Sequence, residues 1–346
     1  MSSPFSSLHV VDLSGSIAGN YCSRLFLDFG AQVTLAEPEN GASVRHVPPF
    51  DKDRRSLAFH HLNTGKRVVD LPKSKAELAD LVAGADVAIV PQGFKDEIAK
   101  LAGDRCVCVE VSAFGADGPY AGWQANEMVH QALSGMMSNN GEPGREPLYG
   151  VGNRASYAGG VAAYITAMVG LFTREDDGQG QKASVDVAET AAAMCFPYVL
   201  QYFYNGTNRR RGDQDIPAGQ VLCEGTWVCI WIYPHRFAAM CKALGLSQLI
   251  DDPRFAQVAD RVKNWAEMFD IIQDHVRDED AEDVVSRLQE AQVISACAYR
   301  PSELLENPHL AARQYWDGPD AQGLPRLGAP FRLSRMPRSR VNEVTE

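Results

Sequence analysis

The chain has 346 residues, which is enough for one large domain or two modest ones. Its apolar fraction of 45% and charged fraction of 22% are ordinary for a soluble globular enzyme. The net charge of −11, together with the lack of a long basic run, argues against a nucleic-acid partner. We find no apolar stretch of about 18 residues and no signal-like N-terminus, so we expect no membrane span.

The first third of the chain alternates strand-like and helix-like segments. The patterns predict strands over 8–13, 32–36, 67–71, 86–90 and 106–111, and helices over 21–29, 74–83 and 94–101. A strand, helix and strand in this order is typical of a βαβ unit, whose crossover is right-handed. The sequence therefore predicts an α/β fold with an open, mostly parallel sheet and helices on both faces.

The remaining chain changes character more than once. A strand over 183–187 separates two apolar helices, 160–172 and 187–203, and the second is apolar all round, which predicts burial. Residues 205–219 are polar, basic and rich in Gly and Pro, so they predict either an interdomain linker or a mobile lid. We place a large domain at 1–204, a smaller α+β domain at 220–300 and a tail, 301–346, that returns to the large domain.

The eight cysteines are scattered, mostly inside apolar runs. They form no CxxC pair and no Cys/His set with the spacing of metal ligands. We therefore expect buried, reduced thiols, no metal and a cytoplasmic protein. The cysteines are Cys22, Cys106, Cys108, Cys195, Cys223, Cys229, Cys241 and Cys297.

Short motifs in a fixed order run through nearly the whole chain. They include Asp28-Phe29-Gly30-Ala31, Glu37-Pro38, Asn63-Thr64-Gly65-Lys66-Arg67, Gln131-Ala132-Leu133-Ser134-Gly135 and Gly328-Ala329-Pro330-Phe331-Arg332. In order and spacing the chain resembles class III CoA-transferases, the CaiB/BaiF group, which includes formyl-CoA transferase and alpha-methylacyl-CoA racemase. The resemblance implies a Rossmann-like large domain, a small domain and an interlocked-ring homodimer.

The resemblance also implies the substrates. These are an acyl-CoA and an acceptor carboxylic acid or, in the racemase branch, a 2-methylacyl-CoA. Lys66 and Arg67 lie where the family contacts the nucleotide end of CoA, with solvated strand-edge charges as the alternative. Arg45 lies in a loop that is near CoA in relatives.

Two further segments are expected at the CoA site. The turn Ser14–Gly19 carries few bulky side chains, so its backbone can approach the pantetheine arm, although a plain tight turn fits as well. After the fourth strand, Gln92-Gly93-Phe94 stands where the family usually has an Asn-containing segment with Pro and Gly. The residues assigned to CoA here are Ser16, Ile17, Ala18, Gln92, Gly93 and Phe94.

In the family, the catalytic nucleophile lies two or three residues before a glycine pair, which here is Gly159 and Gly160. It is an Asp there, and here it is Ser156. A serine can form an O-ester with an acyl group, but it cannot hold CoA as a thioester, which the ordinary transfer route requires. The two glycines allow close helix approach or direct a backbone N–H at the thioester oxygen.

Several explanations for Ser156 stay open at this point. Another carboxylate replaces the Asp, with Glu127, Glu142, Asp213 and Asp215 as candidates. Alternatively, the chain is a non-catalytic acyl-CoA-binding subunit of a heteromer with an active paralogue, or it carries an engineered change.

A different reaction on a CoA thioester, of the racemase, lyase or dehydratase type, is also open. Ser156 would then hydrogen-bond the thioester carbonyl. The racemase His would fall near Asn126 or Glu127, and His130, one helical turn on, is expected to be an ordinary packed or surface residue. The first hypothesis remains an enzyme that moves CoA between carboxylic acids.

Overall fold

The computed structural model describes residues 3–213, 217–319, 323 and 325–334. The chain forms two compact units, one from Met1–Arg211 with Gln314–Glu346 and one from Gly212–Arg313. Asp215 and part of the 205–219 segment lie outside the described residues, so the linker or lid stays a prediction.

The first unit is built on a six-stranded sheet in which every neighbouring pair is parallel. The strand order is β3-β2-β1-β4-β5-β6, so the order reverses between β1 and β4. The alternating pattern had predicted such a sheet, and this prediction is confirmed. The strands are β1 His9–Asp12, β2 Gln32–Glu37, β3 Arg67–Asp70, β4 Val87–Val90, β5 Val107–Ser112 and β6 Lys182–Asp186.

Helices cover both faces of this sheet because successive strand residues point to opposite sides. Val10 and Val109 pack with residues of α1 and α6, whereas Val11 and Cys108 pack with residues of α3 and α4. The helices of the first unit are α1 Ile17–Asp28, α2 Leu57–Asn63, α3 Lys75–Val82, α4 Lys95–Ala102, α5 Glu127–Leu133, α6 Arg154–Asp177, α7 Val187–Met194 and α8 Phe196–Asn205. The sequence patterns had predicted neither α2 nor α5.

Helix α6 begins six residues before the predicted start, so Ser156 and both following glycines lie in its first two turns. Ala163 and Ala167 on this helix are fully buried in the core. Among the described helices, α6 is the one whose length and mean hydropathy of 1.4 would suit a membrane span. Its buried residues also fit the core helix of a globular unit.

The apolar stretch 187–203 does not form one buried helix, and that prediction is wrong. It breaks at Cys195 into α7 and α8, with Pro197 in the first turn of α8. None of the residues of α8 is buried, and Phe203 and Tyr204 are 83% and 82% exposed. Apolarity on all sides indicates that a helix needs cover, but it does not say that the same chain supplies it.

The second unit has its own core around the fully buried Phe255, Met268 and Leu288. Its three strands are antiparallel in the order β7-β8-β9. The strands are β7 Ala218–Cys223, β8 Thr226–Trp231 and β9 Ile294–Cys297, and the helices are α9 Phe237–Ala243, α10 Val258–Lys263, α11 Trp265–Val276, α12 Ala281–Glu290 and α13 Pro308–Ala312.

The end of the described chain belongs to the first unit. Strands β10 Trp316–Pro319 and β11 Pro325–Leu327 pair antiparallel. The ring of Phe331 then stacks on that of Phe29, with centroids 4.3 Å apart. All eight cysteines are unpaired and seven of them are buried, as the sequence predicted.

Candidate active site

A cavity of about 910 Å³ opens in the first unit beside the carboxyl ends of β1 and β5. In open parallel sheets, ligands bind at this edge, near the point where the strand order reverses. Loops after several strands and the first turns of α5, α6 and α7 contribute to it. The lining residues are Ser16–Ala18, Ser43, His46–Pro49, Val111–Ala113, Ala125–Met128, His130, Tyr149, Val151–Asn153, Ser156 and Val187.

Glu127 and Ser156 meet in this cavity. The Ser156 hydroxyl donates to Glu127 Oε2 at 2.7 Å, and the Ser156 backbone N–H donates to the same oxygen at 3.0 Å. The other oxygen, Oε1, accepts from the Ala155 N–H at 2.7 Å and from Gln131 Nε2 at 2.9 Å. The carboxylate therefore has four donors, and it lies next to the position where the family carries its Asp.

The contact also explains how α6 begins. Asn153, the N-cap residue, makes no side-chain capping bond, so Glu127 of α5 satisfies two free N–H groups of the first turn. Burial raises the pKa of Glu127, but the hydrogen bonds from Gln131, Ala155 and Ser156 outweigh it and hold the pKa below its usual value. The carboxylate is consequently ionised at neutral pH.

His130 and Tyr149 line the same cavity and are uncharged at neutral pH. His130 is 6% exposed and its Nδ1 has no hydrogen-bond partner. Burial lowers the pKa of His130, although the Glu127 charge acts in the opposite direction. Burial and the Glu127 charge both raise the pKa of Tyr149. His130 is thus buried at the wall of a cavity and is not a surface residue.

Gly159 and Gly160 are buried where α6 crosses α1. A Cβ added to Gly160 would lie 2.7 Å from the Ala18 carbonyl oxygen, and one added to Gly159 would lie 3.0 Å from Val187 Cγ2. This geometry matches close helix approach, one of the two roles expected for the pair. Neither glycine lines the cavity.

The turn after β1 reaches the cavity. Ser16, Ile17 and Ala18 line it, and the Ser16 hydroxyl accepts from the Gly19 N–H at 3.1 Å as the N-cap of α1. A capped helix start beside a cavity presents backbone N–H groups and few side chains to a ligand. This is the chemistry that suits an amide-bearing pantetheine arm.

Lys66 is not available to CoA in this structure, and its assignment to the nucleotide is corrected. The residue is 3% exposed, and its Nζ donates to Asn20 O at 2.9 Å, Ser23 Oγ at 2.7 Å and Asn63 Oδ1 at 2.8 Å. Asp12 Oδ2 lies 3.6 Å away. Lys66 therefore completes a buried polar network, while Arg67, the next residue, is exposed on β3.

A second cavity, of about 400 Å³, carries the arginines of this region. Arg45 lies there with its guanidinium 3.8 Å from the ring centroid of Phe59, and its Nε donates to Glu37 Oε2 at 2.8 Å. Arg54 and Arg55 line the same cavity. Sequence reasoning missed these two residues, although the charged run 51–55 was a visible signal.

Gln92, Gly93 and Phe94 do not line the large cavity. Gln92 Nε2 donates to the carbonyls of Gly115 at 2.9 Å and Ala121 at 3.1 Å, and the Gly93 N–H donates to Glu110 Oε2 at 2.8 Å. The segment thus supports the loop after β5, and its expected contact with CoA is not visible here.

Two of the other carboxylates proposed to replace the Asp do not line the cavity. Glu142 and Asp213 are exposed, and neither lines the cavity. Asp215 lies outside the described residues. Within residues 3–213, 217–319, 323 and 325–334, no group of three or more His, Cys, Asp or Glu side chains could hold a metal ion.

Comparisons with known proteins agree with this fold. The family model of CoA-transferase family III matches residues 5–343. A crystal structure of a CaiB/BaiF family protein from Brucella suis has a TM-score of 0.85 at 24% identity, covering 97% of this chain and 94% of that chain.

Curated relatives are similar over almost the full length. The succinyl-CoA--D-citramalate CoA-transferase of Chloroflexus aurantiacus is 27% identical, covering 96% of this chain and 89% of that protein. The succinate--glutarate CoA-transferase of Agrobacterium fabrum is 26% identical, covering 96% and 90%. A succinyl-CoA:(R)-benzylsuccinate CoA-transferase subunit, BbsE of Thauera aromatica, is 26% identical, covering 91% and 84%. The chain belongs to CoA-transferase family III, whose members are enzymes that transfer CoA between acyl-CoA thioesters and carboxylic acids.

Proposed function

We propose that this chain transfers CoA between carboxylic acids with the Glu127 carboxylate as the covalent carrier. The observation that carries the proposal is the contact of Glu127 with Ser156 inside the cavity. Transfer needs an acyl carbon on the enzyme, and among the described lining residues Glu127 is the one that has a side-chain carboxyl group. Its low pKa keeps it in the nucleophilic form.

The transfer of CoA can be written as four steps at the Glu127 carboxylate. A Glu127 oxygen attacks the thioester carbonyl and the C–S bond breaks, so that CoA leaves as a thiolate and Glu127 forms a mixed anhydride with the acyl group. The thiolate then attacks the glutamyl carbonyl, which releases the first acid and leaves a glutamyl-CoA thioester. The acceptor carboxylate attacks this thioester, which frees the thiolate and forms a second anhydride between Glu127 and the acceptor. The thiolate then attacks the acceptor's acyl carbon, which gives the new acyl-CoA and regenerates Glu127.

Ser156 has a supporting role in this scheme. Its hydroxyl can rotate away from Glu127 more easily than the backbone donors can, which frees a lone pair on Oε2 for attack. The N–H groups of Ala155 and Ser156 then remain to stabilise the negative charge that develops on the glutamyl oxygen.

We place CoA across both cavities of the first unit. The pantetheine arm would follow Ser16–Ala18, and the phosphates would meet Arg45, Arg54 and Arg55, whose charges favour a polyanion. Ser56 Oγ donates to the Val47 carbonyl at 2.5 Å, and these residues line the second and the first cavity respectively. This contact supports one continuous ligand.

The assembly we propose is a homodimer of chains with a Rossmann-like first unit, in the cytoplasm. The strand order of the sheet and the uncovered aromatic side chains of α8 support this proposal. Sedimentation of the purified chain is expected to give a dimer mass. A Phe203→Glu variant is expected to give less dimer after denaturation and refolding, because interlocked chains can only assemble during folding, and an unchanged yield of dimer would place the contact elsewhere.

The test of the mechanism is chemical trapping. The purified chain is incubated with an acyl-CoA and hydroxylamine, and its peptides are mapped by mass spectrometry. A glutamyl hydroxamate is expected at Glu127, because hydroxylamine attacks both the anhydride and the glutamyl-CoA thioester.

Two variants provide the controls. Glu127→Gln is expected to abolish the adduct and the transfer, whereas Ser156→Ala is expected to keep the adduct at a reduced rate. An adduct that survives in Glu127→Gln, or one found at position 156, would overturn the assignment of the carrier.

A second candidate function is a non-catalytic acyl-CoA-binding subunit. Two observations favour it, namely the alcohol at position 156 and the similarity to BbsE, whose name describes one subunit of a CoA-transferase. The trapping experiment separates the two candidates. Retained CoA binding without any adduct, and transfer only after a carboxylate-bearing paralogue is added, would support the subunit.

A further inference from the structure

The wall around the Glu127–Ser156 pair is largely apolar. Met128 follows Glu127 on α5, Val187 begins α7, and Val151 precedes α6. Ile17, at the start of α1, completes this apolar wall. Apolar side chains favour ligand groups that lose little on leaving water, because transfer of apolar surface out of water is favourable.

The fixed charge in the cavity is negative. Among its described lining residues, Glu127 is held ionised by four donors, while the buried His130 and the exposed Tyr149 are uncharged at neutral pH. A second carboxylate on a ligand would lose its hydration here and would be repelled by the Glu127 charge. The electrostatics therefore oppose a charged acyl group.

Two arginines that lie close in sequence to cavity-lining residues contact other groups. Arg45 donates to Glu37 and lines the second cavity. Arg154 is exposed, and its Nε donates to the Val151 carbonyl at 3.1 Å. Neither guanidinium is among the described groups that line the first cavity.

We infer that the acyl group bound beside Glu127 is uncharged and aliphatic, as in the thioester of a monocarboxylic acid. This inference deepens the proposed function and depends on it for the placement of CoA. This class differs from the dicarboxylic acids after which the relatives from Chloroflexus aurantiacus and Agrobacterium fabrum are named, and the side chains of this cavity account for the difference.

The test measures binding without turnover. S-pentyl-CoA and S-(3-carboxypropyl)-CoA are thioethers of similar size that cannot react, and each is titrated into the full chain by calorimetry beside free CoA. S-pentyl-CoA is expected to bind at least about tenfold more tightly than the carboxylate analogue. Equal or tighter binding of the carboxylate analogue would overturn the inference.

A charge introduced into the apolar wall tests where the acyl group of the ligand lies. Val151 is 86% exposed, so replacing it should leave the core intact. Val151→Arg is expected to shift the ratio of the two affinities by about tenfold toward the carboxylate analogue, since it supplies a counter-charge. The matched variant Val151→Gln, which adds bulk without charge, is expected to leave the ratio unchanged.

The outcomes separate this inference from the proposed function. Failure of free CoA to bind would overturn both, because the cavity would then not be a CoA site. CoA binding with no preference for the pentyl chain would overturn the acyl class alone, and an unchanged ratio in Val151→Arg would overturn the placement of the acyl group beside Val151. Transfer chemistry plays no part in either readout, so a failed trapping experiment leaves this test intact.

Discussion

Two carboxylates of the first unit have similar hydrogen bonding and different surroundings. Asp12 is completely buried and accepts from Ser14, Asn20 and Ser23, with Lys66 Nζ 3.6 Å away. Glu127 also has four donors, but it lines a cavity of about 910 Å³ and no cation is described among its lining partners. A buried charge needs a counter-charge, whereas a charge at a cavity is left to act on a ligand.

The comparison separates a structural polar cluster from a reactive one. Hydrogen-bond counts alone would rank the two carboxylates together. What differs is access to a ligand, and the predictions below test that difference from the largest expected effect to the smallest.

Lys66→Met removes the counter-charge of Asp12. We expect the free energy of unfolding to fall by about 3–5 kcal/mol, because one charge of a buried pair is left uncompensated. Chemical denaturation measures the loss. Arg67→Met, an exposed neighbour, is the control and is expected to change stability by less than about 0.5 kcal/mol. Equal effects of the two variants would mean that Lys66 is not part of a buried pair.

The stability of the protein in mild alkali reports the same lysine. Burial lowers the pKa of Lys66 from 10.5 to about 8, and Asp12 only partly counteracts it. Between these pH values the unfolded chain binds a proton at this side chain that the folded chain does not. The contribution of Lys66 to the free energy of unfolding therefore rises with pH by up to about 1.4 kcal/mol per unit.

Denaturation of the protein and of Lys66→Met at several pH values isolates this slope. The difference between the two unfolding free energies is expected to grow between about pH 8 and pH 10.5 and to be flat more than about one pH unit below 8. Parallel curves across the range would show that the lysine titrates normally.

Gly160→Ala tests the contact between α1 and α6. Helix α1 carries Asn20 and Ser23 of the Asp12 cluster, and α6 carries Ser156, which contacts Glu127. A Cβ 2.7 Å from the Ala18 carbonyl forces the helices apart, so we expect a loss of about 1–3 kcal/mol. Thermal unfolding measures it, with Gly122→Ala as the control because nothing lies within 4 Å of its Cβ position. A stabilised Gly160→Ala would contradict the close packing.

Two serine variants give the finest comparison. Ser23→Ala removes a fully buried hydroxyl that donates to Asp12 and accepts from Lys66, so a loss of about 1–3 kcal/mol is expected. Ser156→Ala is expected to lose only about 0.5–1 kcal/mol, because water in the cavity can replace its hydroxyl. Equilibrium denaturation of both variants gives the difference, and a larger loss at Ser156 would reverse the distinction drawn above.

Much of the fold was predictable because it depends on periodicity. Short apolar runs separated by helical spacing predicted the five strands of the first third, and the structure has all of them within two residues. The exposure of α8 was not predictable, since the apolarity of 187–203 does not say whether the same chain covers a helix. Helix α5 was missed because its seven residues lie between irregular segments without a clear pattern.

The site was predictable in part. Motif position singled out Ser156 and suggested Glu127, but their contact joins residues 29 positions apart and needs the three-dimensional fold. Motif position also misplaced Lys66, because a sequence match does not report the direction of a long side chain. The arginines of the second cavity belong to a loop whose path no local pattern specifies.

The first turn of α6 is anchored by a residue from another helix, and this has a consequence for how the family can diversify. Because Glu127 satisfies the free N–H groups at Ala155 and Ser156, side chain 156 carries little of the architecture. An alcohol and a thiol can therefore be exchanged there while Glu127 keeps the start of the helix. A single codon is then enough to give an unchanged framework a new reactive group.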